Sequence, residues 1–270
     1  GGFGGKETDS SQLACVCAIF AQQTKLSIKA RLSRKDDILM TGKRHDFKAD
    51  YKVGYADDGK ILGIEVDLAA RCGYSLDLSK AIVSRALFHA DNAYFMPNAT
   101  FRGFLCKTNT ASNTAFRGFG GPQGMLVIEN IIEEIAMNIG VDPLEIRKLN
   151  YYQKETNNVT PYDQVVEDNI INELSSELEE DSKYLARRQS IDDFNKNNKY
   201  LKKGLALSPV KFGISFTTQL LNQAGALVNV YKDGSIYINH GGTEMGQGLF
   251  IKVAQVVANE FGVNLERVKV

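Results

Sequence analysis

Ser112-Asn-Thr-Ala-Phe-Arg-Gly-Phe-Gly-Gly-Pro-Gln-Gly124 is the stretch on which the interpretation of this chain depends. It holds four glycines, an arginine between two phenylalanines, and Pro122, which is typical of the first turn of a helix. Glycines let backbone approach a ligand closely, and the unpaired N–H groups at a helix start attract anions. A plain glycine-rich turn between a strand and a buried helix explains the same residues, so this stretch alone leaves both interpretations open.

Two other stretches have the same texture. GGFGGKE forms residues 1–7, GGTEMGQG forms residues 241–248, and each precedes an apolar segment that predicts a helix. Neither fits a nucleotide signature, because Lys6 is followed by Glu7 rather than Ser or Thr, and the later glycines lack the G-x-G-x-x-G spacing. Three such loops predict one ligand of unusual shape, held mainly by backbone groups.

Composition narrows the class of protein. The 270 residues include 32 basic and 32 acidic side chains, so net charge gives no reason to expect nucleic acid or an anionic membrane as partner. No apolar run reaches the roughly 18 residues of a membrane span, and the cysteines and histidines form no ligand set for zinc or an iron–sulfur cluster. We therefore expect any metal to be carried by a cofactor, and a cytoplasmic location. The first residue is not methionine, which we interpret as a segment of a longer protein.

The rest of the sequence predicts an α+β fold with mixed or antiparallel sheets and helices. Alternating stretches at residues 49–56 and 61–70 flank a turn at 57–60 and predict a hairpin. Helical spacing runs from Pro122 to Gly140, where the glycine predicts the helix end. Further strands are predicted at residues 26–32, 101–109, 213–217, 226–231 and 236–240, and further helices at 13–20, 75–92, 143–147, 166–178 and 253–261.

Two segments are predicted as connections. Residues 36–47 form a charged link between strands, and residues 150–200 are polar and charge-rich, interrupted by one amphipathic helix. The change of composition in the second segment predicts a domain boundary. It divides the chain into a first domain, residues 1–160, and the start of a second, residues 161–270.

Four motifs carry a resemblance to a known family. They are GGFGGKE at residues 1–7, SRALFHADN at 84–92, SNTAFRGFGGPQ at 112–123 and HGGTEMGQG at 240–248. In length and order they resemble the molybdenum-binding portion of the xanthine oxidase/aldehyde oxidase family, on its xanthine dehydrogenase branch. The resemblance implies a molybdopterin cofactor with an oxo- and sulfido-bearing molybdenum, which suits a site made of backbone loops.

The resemblance also implies roles for individual residues. Phe116 and Phe119 would hold a flat purine, one against its face and the other nearer edge-on. The Gln247 amide would form a hydrogen bond near the metal, and no side chain would ligate the molybdenum directly. The residues implied to contact the cofactor come from all three loops: Phe3, Gly4, Arg117, Gly118, Met245, Gly246 and Gln247.

Two charged residues are implied to decide the substrate. Glu7 and Arg85 would bind opposite ends of a purine and stabilise charge that develops on it. Aldehyde oxidases tend to carry uncharged residues at these positions, so the pair favours hypoxanthine or xanthine, oxidised towards urate with water as the oxygen source. One departure is Asp9, where the family usually has Arg.

The resemblance further implies parts that this sequence does not match. The family's general base is a glutamate in a later glycine-rich segment, beyond Val270, so we expect the chain alone to be inactive. Iron–sulfur clusters and FAD are expected on other domains or subunits, and the full assembly is expected to be a dimer. Two alternatives stay open: an aldehyde or N-heterocycle oxidase of the same family, and an assembly unit without a ligand.

Overall fold

The computed structural model describes residues 4–270, which form eight α-helices and two small sheets. The helices are α1 (Ser10–Thr24), α2 (Arg34–Met40), α3 (Ser79–Phe88), α4 (Gly121–Ile139), α5 (Pro143–Asn150), α6 (Ile171–Asp181), α7 (Tyr184–Asn197) and α8 (Leu249–Phe261). The strands are β1 (Phe47–Tyr55), β2 (Ile61–Gly73), β3 (Ala99–Lys107), β4 (Ala226–Val230), β5 (Ile236–His240) and β6 (Val268–Lys269). The predicted α+β class is confirmed.

Both sheets have three strands and the same mixed pattern. In the first, β2 pairs antiparallel with β1 and parallel with β3; in the second, β5 pairs antiparallel with β4 and parallel with β6. The β1–β2 hairpin turns at Asp58-Gly59, where Gly59 has φ +91° and the Asp58 carboxylate accepts from the Lys60 N–H at 3.0 Å. Glycine supplies the left-handed conformation this turn needs.

The main core lies between α4 and the first sheet. Alternate residues of β2, among them Ile64, Val66 and Leu68, are buried against one face of α4. That face carries isoleucines 128, 131, 132 and 135, each at most 1% exposed. Burying each such side chain contributes about 1.5–3 kcal/mol, so this helix anchors everything attached to its first turn.

A buried ionic group fixes α5 on α4. The Arg147 side chain is 2% exposed and donates to Glu129 at 2.9 Å and to Glu133 at 2.6 Å. Tyr94 and Asn92 also donate to the Glu129 carboxylate, at 2.6 and 2.9 Å. A buried charge with this many partners holds α4, α5 and the segment after α3 in one arrangement.

Three sequence predictions fail, and one helix was missed. Residues 26–32 are not a strand, since they join neither sheet and Leu26 is 67% exposed. Residues 213–217 are not a strand either, because their backbone binds side chains of α3 instead of a neighbouring strand. The charged link contains α2, capped by the Ser33 hydroxyl, which accepts from the Asp36 N–H at 3.2 Å. Helix α7 was not predicted.

Helix α1 is a confirmed prediction with an unexpected environment. Its sequence is apolar on nearly every side, yet none of its residues is buried, and Val16, Ile19 and Phe20 are each about half exposed. A helix that is hydrophobic all round is normally enclosed by protein.

Candidate functional site

The three glycine-rich loops meet at one cleft of about 390 Å³. We call residues 112–124 the Phe119 loop and residues 241–248 the Gln247 loop. The lining residues are Gly4, Glu7, Ala115, Phe116, Arg117, Gly118, Phe119, Met245, Gln247 and Lys252. Gly4 and seven other residues singled out from the sequence thus lie together in the structure, although they are up to 243 positions apart in the chain. Phe3 lies outside the described residues, and Gly246 is in the Gln247 loop without lining the cleft.

The first loop is bound to the Phe119 loop by backbone. Gly4 forms a bridge with Phe116, and the Gly5 N–H donates to the Ala115 carbonyl at 2.7 Å. A Cβ on Gly4 would lie 2.7 Å from the Ala115 oxygen, and one on Gly5 would lie 2.5 Å from the Phe116 ring. Glycine is therefore required here because one loop approaches another.

The Phe119 loop contains a strained turn. Gly118, Phe119 and Gly120 have successive φ values of +90°, +50° and +98°. For an aromatic residue such as Phe119, a positive φ is an outlier that costs about 1–3 kcal/mol. The Phe119 N–H donates to the Phe116 carbonyl at 2.8 Å, which closes the turn and brings both rings to the cleft wall.

Two other glycines of this loop pack against α3. A Cβ on Gly120 would lie 2.0 Å from the Ile82 carbonyl oxygen, and a Cβ on Gly124 would lie 2.1 Å from that of Ala86. These glycines allow α3 and the start of α4 to touch backbone to backbone. A glycine turn before a core helix explains the glycines that pack on α3. A ligand loop remains an interpretation for the residues that line the cleft.

Arg44 supports the same loop and was not singled out from sequence. Its guanidinium donates to the Arg117 carbonyl at 2.8 Å and lies 5.8 Å from the Phe116 ring centroid. Nearby, the Thr114 N–H donates to the Lys43 carbonyl at 3.0 Å. No local pattern marks Arg44, because its partners are about 70 positions away in sequence.

Asp9 holds the adjoining segment. Its carboxylate accepts from the Gly42 N–H at 3.0 Å, and partial burial raises the pKa of Asp9, opposed by that hydrogen bond. Its position after the first loop lets it tie the start of α1 to residues 42–44, which in turn contact the Phe119 loop. Asp9 therefore acts on the surroundings of the cleft, although it does not line it.

The Gln247 loop carries its own anion. The Glu244 carboxylate accepts from the N–H groups of Gly246 at 2.6 Å, Gly248 at 3.1 Å and Phe250 at 3.4 Å. Loss of solvent would raise the pKa of Glu244, but these N–H donors outweigh it and lower the pKa. The expected anion site at the start of α8 is therefore filled by the chain itself. Glu244 was missed because its carboxylate lies inside the glycine motif.

The side chain of Gln247 is also used within its loop. Its amide oxygen accepts from the Met245 N–H at 2.5 Å, and its amide nitrogen donates to the Thr243 carbonyl at 2.8 Å. These contacts place Met245 and Gln247 side by side on the cleft wall. A role of the Gln247 amide towards a metal remains a prediction.

Arg85 does not line the cleft and lies behind Phe119. Its guanidinium carbon is 5.9 Å from the Phe119 ring centroid, and its side chain, in a residue 5% exposed, donates to the carbonyls of Gly213 and Ser215. Phe216 packs on the same ring, with centroids 5.3 Å apart. Glu7, by contrast, is exposed in the cleft, so the structure does not set the two charged residues face to face.

The cleft suits a group that brings its own metal. Among residues 4–270, no cluster of three or more His, Cys, Asp or Glu side chains could hold a metal ion. The walls offer loop backbone, the cations Arg117 and Lys252, and the anion Glu7. Backbone dipoles and cations match a phosphate-bearing cofactor better than a bare ion.

Sequence comparison identifies the family. Residues 1–151 match the family described as "Molybdopterin cofactor-binding domain", and residues 177–270 match a second family with that description. The chain belongs to the molybdopterin cofactor-binding domain family. Its cofactor is molybdopterin with molybdenum, as the motifs implied, while the boundary at residue 160 remains a prediction.

Curated relatives agree with this family. The chain is 47% identical over 263 residues to xanthine dehydrogenase of Dictyostelium discoideum, with 97% of this chain and 19% of that protein covered. It is 46% identical over 268 residues to xanthine dehydrogenase/oxidase of Gallus gallus (99% and 20%). It is also 46% identical over 270 residues to nicotinate hydroxylase hnxS of Emericella nidulans (99% and 20%). The chain thus spans about a fifth of the length of these relatives.

Solved structures share the fold at lower identity. Quinoline 2-oxidoreductase from Pseudomonas putida 86 superposes with a TM-score of 0.82 at 21% identity, covering 99% of this chain and 35% of that one. The Cu,Mo-CO dehydrogenase superposes with a TM-score of 0.78 at 20% identity, covering 99% and 36%.

None of the helices in residues 4–270 has the length and apolar character needed to cross a membrane.

Proposed function

We propose that this chain forms part of the substrate and cofactor site of a molybdenum hydroxylase that oxidises hypoxanthine or xanthine towards urate. The observation that carries the proposal is the meeting of all three glycine-rich loops at one cleft. Support comes from the family and from xanthine dehydrogenases that are 46–47% identical over nearly the whole chain.

The cleft residues divide into two groups. Gly4, Arg117, Gly118, Met245 and Gln247 would hold the cofactor, largely through main-chain atoms, together with Phe3 and Gly246. When bound, the cofactor supplies the oxidising centre that accepts electrons from the substrate carbon. The protein supplies position, exclusion of water and hydrogen bonds.

The substrate would lie against the aromatic wall. Phe116 and Phe119 both line the cleft and would hold a flat ring in place, while Glu7 would bind one polar edge of it. Arg85 would stabilise charge at the other edge. Because Arg85 now binds Gly213 and Ser215, this role requires its guanidinium to exchange those carbonyls for the substrate.

The complete reaction needs groups outside this sequence. The general-base glutamate of the family has no matching position here, so we expect the 270-residue chain alone not to oxidise purines. Iron–sulfur clusters and FAD on other domains or subunits would take the electrons onward. We further propose a cytoplasmic, dimeric assembly.

A second candidate is an N-heterocycle hydroxylase. The nicotinate hydroxylase of Emericella nidulans is as similar to this chain as the animal xanthine dehydrogenase/oxidase. Overall identity therefore does not discriminate between purines and pyridine carboxylates. Turnover of xanthine, nicotinate and an aromatic aldehyde by the intact enzyme would rank the candidates. Molybdenum analysis of the same sample tests the alternative that the chain is an assembly unit without a ligand.

Arg85→Ala in the intact enzyme tests the purine assignment. Loss of a donor that stabilises developing charge should lower purine kcat/KM about 100-fold or more, and aldehyde turnover much less. Arg102→Ala is the matched control, because Arg102 is half exposed and pairs with Asp67 away from the cleft. Equal losses on both substrates, at unchanged molybdenum content, would contradict the role.

A further inference from the structure

Residues 209–217 run along α3 without forming a strand, and we call this segment the strap. Its contacts fall on successive turns of that helix and the residues after it. The Thr217 hydroxyl donates to the Ala81 carbonyl at 3.1 Å, and the Lys211 N–H donates to the Asn92 side chain at 3.0 Å. Between these two ends, the strap is held by Arg85 and His89.

The contacts of His89 define its protonation state. Its Nδ1 lies 2.8 Å from the Arg85 carbonyl oxygen, which can only accept, so Nδ1 carries the hydrogen. Its Nε2 lies 3.0 Å from the Gly213 N–H, which can only donate, so Nε2 keeps its lone pair. The ring is 4% exposed and packs on Phe212 with centroids 4.8 Å apart. His89 is therefore a neutral imidazole with one tautomer.

The charges around His89 favour the same state. Burial lowers the pKa of His89, and the positive charges of Arg85 on α3 and Lys211 on the strap lower it further. The hydrogen bond to the Arg85 carbonyl acts in the opposite direction but does not outweigh them. The Lys211 ammonium is in turn bound to the buried carboxylate of Asp91.

We propose that His89 is a positioning residue for the cleft, which fixes the strap on α3 and thereby sets both Arg85 and the Phe119 ring. Gly213 connects the two effects, because its N–H binds His89 and its carbonyl binds Arg85. Three residues further on, Phe216 lies against Phe119, which lines the cleft. His89 does not line the cleft, so it acts only through the strap.

Because only the neutral His89 ring can accept from the Gly213 N–H, this contact should depend on pH. Protonating Nε2 would place a second donor against the Gly213 N–H and remove that contact. Because the folded pKa lies below the ordinary value of about 6.5, the contact is complete above that pH and is lost as pH falls through the folded pKa. The hold of His89 on the strap should thus weaken as pH falls.

Hydrogen exchange of residues 209–217 in the intact enzyme, read by mass spectrometry from pH 8 to pH 4.5, tests this, with rates corrected for intrinsic exchange. Wild type should lose strap protection as pH falls. His89→Gln keeps an acceptor for the Gly213 N–H without titrating, so its strap should stay protected across the range. His89→Leu should be unprotected throughout. His45→Gln removes another buried histidine, which binds Ser79 rather than the strap, and should retain the wild-type profile.

Kinetics supply the second measurement and rest on the proposed function. His89→Leu should raise the KM for purine about tenfold with a smaller change in kcat, and His89→Gln should restore it. A strap equally protected in His89→Leu and wild type, or a wild-type pH profile in His89→Gln, would overturn the positioning role. Absence of purine turnover in the wild type would instead sink the proposed function, while the exchange result would still decide the role of His89.

Discussion

The Phe119 loop and the Gln247 loop both line one cleft, yet different forces hold them. In the Phe119 loop, added Cβ atoms on Gly120 and Gly124 would lie 2.0 and 2.1 Å from carbonyl oxygens of α3. In the Gln247 loop, Cβ atoms on Gly241 and Gly248 would meet nothing within 4 Å, and one on Gly242 would meet only side chains, Leu249 at 2.6 Å and His240 at 2.9 Å. The first loop is fixed by close backbone packing on the core, and the second is fixed by its own side chains, Glu244 and Gln247.

The comparison shows that glycine-rich loops of similar appearance use glycine for different reasons. Around α3, glycine is a steric requirement, so the Phe119 loop moves only if the core moves. In the Gln247 loop, glycine at position 248 serves a positive φ of +76°, and the Cβ positions of Gly241, Gly242 and Gly248 meet side chains or nothing rather than backbone of the core. We therefore expect the Gln247 loop to adapt to the cofactor while the Phe119 loop remains fixed.

The largest expected effect is that of Gly120→Ala. A positive φ of +98° costs an alanine about 1–2 kcal/mol, and overpacking against the Ile82 carbonyl adds about 1–3 kcal/mol, so denaturant unfolding should show a loss of about 2–5 kcal/mol. Gly140→Ala is the control at the other end of α4, with φ +83° and nothing within 4 Å of an added Cβ. It should cost only the about 1–2 kcal/mol that comes from the positive φ. Equal losses would mean that close packing on α3 does not fix this loop.

A smaller effect is expected for Gly248→Ala in the Gln247 loop. Only the positive φ opposes the alanine, so unfolding should show a loss of about 1–2 kcal/mol. Gly241→Ala, with no positive φ and nothing within 4 Å, should change stability by less than about 0.5 kcal/mol. A large loss from Gly241→Ala would break the contrast between the loops.

The smallest effect on global stability is expected for Glu244→Gln, which removes the charge that holds the Gln247 loop. Exchange protection of the Gly246 and Gly248 amides should fall, while residues 112–124 keep theirs. The folded pKa of Glu244 is lowered. The hydrogen bonds to its carboxylate are therefore complete above the ordinary glutamate pKa of about 4.3 and are lost as pH falls through the folded pKa. The variant should therefore lack the acid-dependent loss that the wild type shows at these amides.

Local patterns were sufficient where neighbours in sequence supply the interaction. Alternation and the Asp58-Gly59 turn predicted the β1–β2 hairpin, and Pro122 and Gly140 bracketed α4 to within a residue or two. Segments whose partners are distant failed. Residues 213–217 look like a strand, but their backbone groups bind Arg85 and His89 more than 120 positions away.

The candidate site divides in the same way. The motifs named the loops, the family and eight of the ten residues that line the cleft, because those eight are close together within each loop. Arg44, Phe216 and Glu244 were not found, since the first two act through partners about 70 and 100 positions away, and the third binds backbone N–H groups inside a motif. Spacing in a sequence records none of these contacts.

What the sequence by itself determined is the family, which binds molybdopterin, and three glycine-rich loops with aromatic rings beside them. Only the tertiary structure decided which groups are engaged with the chain itself. It placed the Glu244 carboxylate on the N–H groups of Gly246 and Gly248 just before α8, and Arg85 on the strap behind Phe119. The physical reason is that a hydrogen-bond donor or acceptor is satisfied by whatever partner the fold brings near, and that choice is made in space.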